Sequence, residues 1–160
     1  MALRSLLLGA LAVTLSLGTV AAQDHTIDFD DAGAWQAQPG WLGGAAAAYD
    51  LSVEDGVGTF TVDSPSAGMK WEFTPANRIS PVFGALVMRY RAVGYDTAHG
   101  DYTVWLSGGT GGRSLIQPRD INADGQWHTL AVDIGQAPFD AAVRYIAVGV
   151  YAGEDVPARL

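Results

Sequence analysis

Hydrophobic and polar residues alternate in short runs through most of the chain. Residues 26–30 place Ile27 and Phe29 on one face, and residues 58–63 repeat the pattern before the turn at Ser64, Pro65 and Ser66. In residues 69–73, Met69, Trp71 and Phe73 share a face and Lys70 and Glu72 take the other. Residues 86–91 send Leu86, Met88 and Tyr90 inward and Arg89 and Arg91 outward. Residues 102–106, 127–134 and 143–151 complete the series. A period of two over five to eight residues is the pattern of a half-buried strand. Helical periodicity is limited to single turns at 45–49 and 140–143. About seven short strands separated by Gly, Pro, Asp and Asn predict an all-β, antiparallel β-sandwich of the jelly-roll kind. Residues 157–160 follow a Gly-Glu-Asp turn and open a further alternation that stops short, so the sandwich is expected to lack its last strand. The expectation is a domain truncated at the C-terminus, or one whose missing strand a partner supplies.

The first 22 residues follow a different rule. Arg4 precedes an apolar stretch that ends in Val20, Ala21 and Ala22, the signature of a secretory signal peptide cleaved before Gln23. The stretch is interrupted by Gly and Ser and is too short to span a bilayer. Removing 22 of the 160 residues leaves 138, read as one β-sandwich domain, secreted or periplasmic. Without Arg4, eight basic residues oppose seventeen acidic ones, a net charge of −9. That balance argues against nucleic acid or an anionic membrane surface as partner. The absence of Cys excludes a disulfide scaffold, thiol chemistry and Cys-ligated zinc.

Two acidic groups have calcium-like chemistry. Asp28, Asp30 and Asp31 offer hard oxygen ligands near the first strand. Asp120, Asn122, Asp124 and Gly125 have the spacing of the first half of an EF-hand loop, but Ala131 stands where the bidentate Glu belongs and a strand pattern follows. The other reading is an Asx-rich turn feeding that strand. The glycines of 108–112 lack the Lys and the following helix of a phosphate loop, and read as a flexible hairpin loop. Neither a zinc-hydrolase motif nor a nucleophile elbow occurs around His25, His99 and His128. Of three glutamates, Glu54 and Glu154 read as turn residues, and Glu72 faces outward where it can pair with Lys70, Arg89 or Arg91. A pair of catalytic carboxylates is not indicated.

The outward positions are the informative ones. Lys70, Glu72, Arg89, Arg91, Thr103 and Trp105 fall on the non-core side, with Tyr145 and Tyr151 out of phase with Ile146, Val148 and Val150. Aromatic rings stack on the apolar face of a sugar and charged groups bind its hydroxyls, so this surface suits carbohydrate. A salt-bridged face covered by a neighbouring domain fits the same pattern. Trp41, His99 and Tyr102 are candidate loop contributors.

Residues 69–73, 86–92, Asp101-Tyr102 and above all the turn-and-strand Asp124-Gly125-Gln126-Trp127-His128 running to Asp133 resemble the galactose-binding-like jelly rolls that include many carbohydrate-binding modules. The resemblance spans most of 24–160 and rests on strand patterns. It implies a non-catalytic carbohydrate-binding module of a secreted bacterial protein, with a poly- or oligosaccharide as partner. It also implies a structural calcium, to which Asp28, Asp30 and Asp31 would contribute one half. The alternatives are an interaction domain that docks a neighbouring domain or subunit, and a jelly-roll polysaccharide lyase or hydrolase.

Overall fold

The computed structural model describes residues 26–27, 29–39, 48–75, 85–108, 111–134, 143–154 and 157–160. Their strands are β1 (Trp35–Ala37), β2 (Tyr49–Glu54), β3 (Val57–Val62), β4 (Gly68–Phe73), β5 (Ala85–Tyr90), β6 (Val104–Ser107), β7 (Gly112–Ile116), β8 (His128–Asp133), β9 (Tyr145–Tyr151) and β10 (Ala158–Arg159). Five pair antiparallel in the order β1-β4-β9-β6-β7. The others form the sets β10-β3-β2 and β5-β8. Val93 joins these two sets: its N–H donates to the Arg159 carbonyl at 3.0 Å, its carbonyl accepts from the Arg159 N–H at 2.9 Å, and it bridges to Asp124 on its other side. The fold is therefore an all-β, antiparallel jelly-roll sandwich of two layers.

The alternation places the core between the layers. Trp71, Val150 and Ile116 from the five-stranded sheet and Val62 and Tyr90 from the other layer are buried. Phe60 packs edge-on against Trp35 and Trp71, each at 5.1 Å between ring centres. Asp55 and Gly56, both at positive φ, make the two-residue turn between β2 and β3, where the chain must double back in register with the strand twist. The chain changes layer just after β5. Val93 bridges to Arg159 in one layer and Tyr95 bridges to Ala152 in the other, which delivers residues 96–103 to the outer side of the five-stranded sheet.

Several expectations are corrected. The described part of 26–30 is not a strand, because the Asp31 carboxylate accepts a hydrogen bond from the Gly33 N–H at 2.7 Å and starts a 3₁₀ turn at Ala32–Ala34. Ile27 and Phe29 still pack on the core. The glycine-rich segment is a hairpin closed by Gly108 N–H on the Gly111 carbonyl at 2.7 Å, and its second arm is strand β7 instead of loop. Residues 158–159 do form a strand, and it is bonded on both sides: Leu160 and Phe60 exchange two bonds of 3.0 Å opposite the Val93 pair. The open edge expected there is filled at this level of the layer. Of the helical turns, Tyr49 belongs to β2, 143 is an isolated bridge residue, and 45–47 and 140–142 lie outside the described residues.

Candidate functional site

Polar and aromatic side chains form two rows on the outer face of the five-stranded sheet, and the line between them is the trough of this face. Along its middle runs β9, whose outward residues Ala147 and Gly149 carry almost no side chain and are covered by their neighbours, Ala147 having no exposed surface. Gly149 has to be glycine because a Cβ there would meet the Tyr102 carbonyl and the Tyr151 hydroxyl at 2.5 Å each. Register sets the walls. Lys70 lies opposite Gly149 and Glu72 opposite Ala147 on β4, and Trp105 lies opposite Ala147 on β6.

The β4 wall is polar and internally matched. Lys70 Nζ stands 2.7 Å from Glu72 Oε1, and Gln38 Nε2 donates to Glu72 Oε2 at 3.2 Å. Both charged side chains are less than a quarter exposed, so they are held in place rather than waving in solvent. Tyr145 closes one end, with the Lys70 ammonium 6.0 Å from its ring centre. Facing this wall is an aromatic one. The Trp105 indole lies on Gly112, where any Cβ would overlap it, and Tyr102 stands 5.3 Å away at a 38° tilt.

Beneath the aromatic wall is a buried polar support. The Tyr95 hydroxyl bonds Thr103 Oγ1 at 2.8 Å and donates to the Gly149 carbonyl at 3.1 Å. The Tyr151 hydroxyl donates to the Tyr102 carbonyl at 2.7 Å. Burial pushes the Tyr95, Tyr102 and Tyr151 phenols well above the ordinary tyrosine range. His99 stacks on Tyr151 at 3.8 Å and its Nδ1 accepts from the Asp101 N–H. Tyr151 faces outward from the sheet as its phase predicts, yet it is 1% exposed, so it supports the trough and does not line it.

Arg89 and Arg91 are elsewhere. They are on β5, in the opposite layer, where their guanidinium groups lie 4.7 and 5.5 Å from the Trp127 ring centre. The outward set read from the sequence as one face is therefore two faces on opposite sides of the sandwich. Alternation tells which residues point away from the core and is silent on which sheet a strand joins. The structure brings Lys70, Glu72, Trp105, Tyr102 and Tyr145 together and separates the arginines from them. Gln38, on the trough wall, was not anticipated, since β1 is three residues long and has little pattern. Trp41 lies outside the described residues.

The acidic groups do not assemble a calcium cage among the described residues. Asp31 is turned onto its own 3₁₀ turn, Asp30 is exposed, and Asp28 lies outside the described set. Asp120 accepts from the Gln117 N–H at 2.8 Å. Asp124 Oδ1 accepts from the Gln126 N–H and stands 2.8 Å from His128 Nε2, which holds its carboxyl below the usual carboxylate range. Asn122 donates its backbone N–H to the Tyr90 hydroxyl. No cluster of three or more His, Cys, Asp or Glu occurs among the described residues.

A jelly-roll sandwich with an aromatic-and-polar trough across one sheet is the class that the geometry defines. No protein-family model and no curated protein matches the chain. Among solved structures, a xylan-binding module, CBM15, is similar at 17% identity and a TM-score of 0.44, over 83% of this chain and 89% of that one. Among the described residues, no helix is long and apolar enough to cross a membrane.

Proposed function

We propose that the chain is a non-catalytic carbohydrate-binding domain, exported by its N-terminal signal, and that it holds a poly- or oligosaccharide in the trough of the five-stranded sheet. The observation that carries this reading is the facing of polar Lys70 and Glu72 by aromatic Trp105 and Tyr102 on either side of β9. The Trp105 and Tyr102 rings offer flat apolar area to a sugar ring. Lys70, Glu72 and Gln38 offer donors and acceptors whose geometry is already fixed, so little entropy is lost when hydroxyls replace water. Glu72 is tied to an ammonium and an amide, which suits an acceptor of hydroxyl hydrogen bonds better than a proton-donating acid.

Affinity electrophoresis in gels containing soluble polysaccharides, followed by calorimetry on the best retained one, tests the proposal. Trp105→Ala is expected to lower affinity at least tenfold, the size of a central aromatic anchor at about 2 kcal/mol. Retention by no polysaccharide, with the protein folded, would overturn it. Glu72→Gln is expected to weaken binding, with no bond cleavage detected for either form.

A further inference from the structure

The outer surface of β5 and β8 carries a second group of side chains that the trough does not use. The Asp124 carboxylate accepts from the Gln126 N–H, and Gly125 sits at φ +75°. This turn sets the phase in which the chain enters β8, so Trp127 points outward. The register, Tyr90 opposite His128 and Arg89 opposite Thr129, then sets Arg91 beside Trp127 and Arg89 diagonally from it. Both guanidinium groups lie over the indole, 4.7 and 5.5 Å from its centre, and the ring stays 44% exposed. The two charges therefore stand within roughly 10 Å of each other, one screening length at 0.1 M salt. Neither has a carboxylate within 4.0 Å among the described residues, and the Asp124 carboxylate is turned to His128. An arginine stacked by its face on an indole keeps its in-plane N–H donors free. Two such groups that repel each other over one ring form a preset fork for an anion.

We propose that this face is a second binding site, independent of the trough, for a polysaccharide that carries carboxylate groups, a uronate chain. Each carboxylate takes the in-plane edge of Arg89 or Arg91 in bidentate fashion. The sugar ring that bears it lies along Trp127, Thr129 and Val87, all of them exposed. Binding relieves the repulsion between the two guanidinium groups. It also draws a polyanion to one place on a chain in which eight cationic residues beyond the leader oppose seventeen acidic ones. The shape of the site favours a polysaccharide over a polypeptide. An added peptide strand needs free backbone groups, and under these side chains β5 and β8 are paired with each other over six residue pairs. A folded partner needs more surface: two strands of six residues present a strip of roughly 200 Å², against about 800 Å² per partner in a stable interface. A flat strip with one ring and two forks is the scale of a few sugar units.

The test titrates the protein with oligogalacturonate, its methyl ester and dextran sulfate, followed by calorimetry and amide chemical shifts. Saturable binding of oligogalacturonate is expected, with shifts centred on 87–91 and 127–131. The methyl ester, which keeps the rings and removes the charge, should bind at least tenfold more weakly. Arg89→Lys with Arg91→Lys keeps the charge and removes the forks, and should cost at least fivefold with an unchanged melt. Trp127→Leu should cost a similar factor by releasing both guanidinium groups. Absence of saturation at millimolar oligogalacturonate would overturn the proposal. So would equal affinity in the lysine variant or for dextran sulfate, which would mean attraction by charge alone. Tighter binding of a Glu-rich peptide would overturn it in favour of a polypeptide partner. Neutral polysaccharide held in the trough is read separately through Trp105, so failure of either proposal leaves the other standing.

Discussion

Tyr151 has its hydroxyl bonded to the Tyr102 carbonyl, its ring under His99, and almost no exposed surface. Tyr95 and Tyr102 are likewise held where a phenolate would be poorly solvated. An ordinary phenol ionises near pH 10, and these ionise higher in the folded state. Their contribution to stability is therefore complete below about pH 10 and is lost as the pH rises above it, because the unfolded chain then releases protons that the folded one keeps. Melts between about pH 8 and 11.5 should fall steeply at the alkaline end. Tyr151→Phe should flatten that fall while lowering the neutral-pH melt by the equivalent of one hydrogen bond, about 1 kcal/mol. Asp124 works in the opposite direction. Its carboxyl is held low by His128, so its contribution is present above the ordinary carboxylate range and lost as the pH falls through its depressed value. Asp124→Asn should make the acid limb of the stability profile shallower. Much at this scale was readable in advance: Trp71, Tyr90, Val104 and Leu106 are buried where their phase put them. Tyr151 was not readable as a support, because what covers it is His99, fifty-two positions away in sequence.

Among the elements, β9 does most to shape the site, since one strand supplies core on its inner side and small, closely covered positions on its outer side. Ile146, Val148 and Val150 face the core, while Ala147 and Gly149 let Tyr102 and Tyr151 close down on the outer side. Gly149→Ala would drive a methyl group against the Tyr102 backbone and the Tyr151 hydroxyl. Overpacking of this kind costs about 1–3 kcal/mol. The expected result is a lower melting temperature together with weaker sugar binding, from displacement of Tyr102 on the wall. The strands at 57–62, 68–73, 85–90, 128–133 and 145–151 were all predictable, being long enough to show two or three full alternations. β1 and β7 were not, nor was the six-residue β2, whose start reads as a helical turn, although the four-residue β6 was. β1 has three residues, and β7 opens on a glycine whose role is to lie under the Trp105 indole. A glycine kept for lack of a Cβ looks the same in a sequence as one kept for a loop.

For the molecule as a whole, the sequence reading fails at one point: which outward residues share a surface. β4 and β5 are consecutive strands, and assigning them to one sheet follows from the habit of sequential strands to pair. The jelly-roll connection instead pairs β4 with β9 and β5 with β8, so Lys70 and Arg89 end on opposite faces. The two faces differ in charge in a way that experiment can separate. In the trough, the ammonium of Lys70 is already matched by Glu72, and hydroxyl groups bring no charge to screen. On the other face, Arg89 and Arg91 have only the Trp127 ring beneath them among the described residues. Raising salt from about 0.05 to 0.5 M shortens the screening length from roughly 14 to 4 Å. Sugar retention by the trough should change little over that range, as retention on retarding gels at both salt levels would show. Arg89→Ala with Arg91→Ala should leave the trough's sugar affinity within twofold of the parent, since sites on opposite faces with no shared partner act additively. Loss of sugar binding in the double arginine variant, with an unchanged melt, would mean that the two faces are coupled through the sandwich.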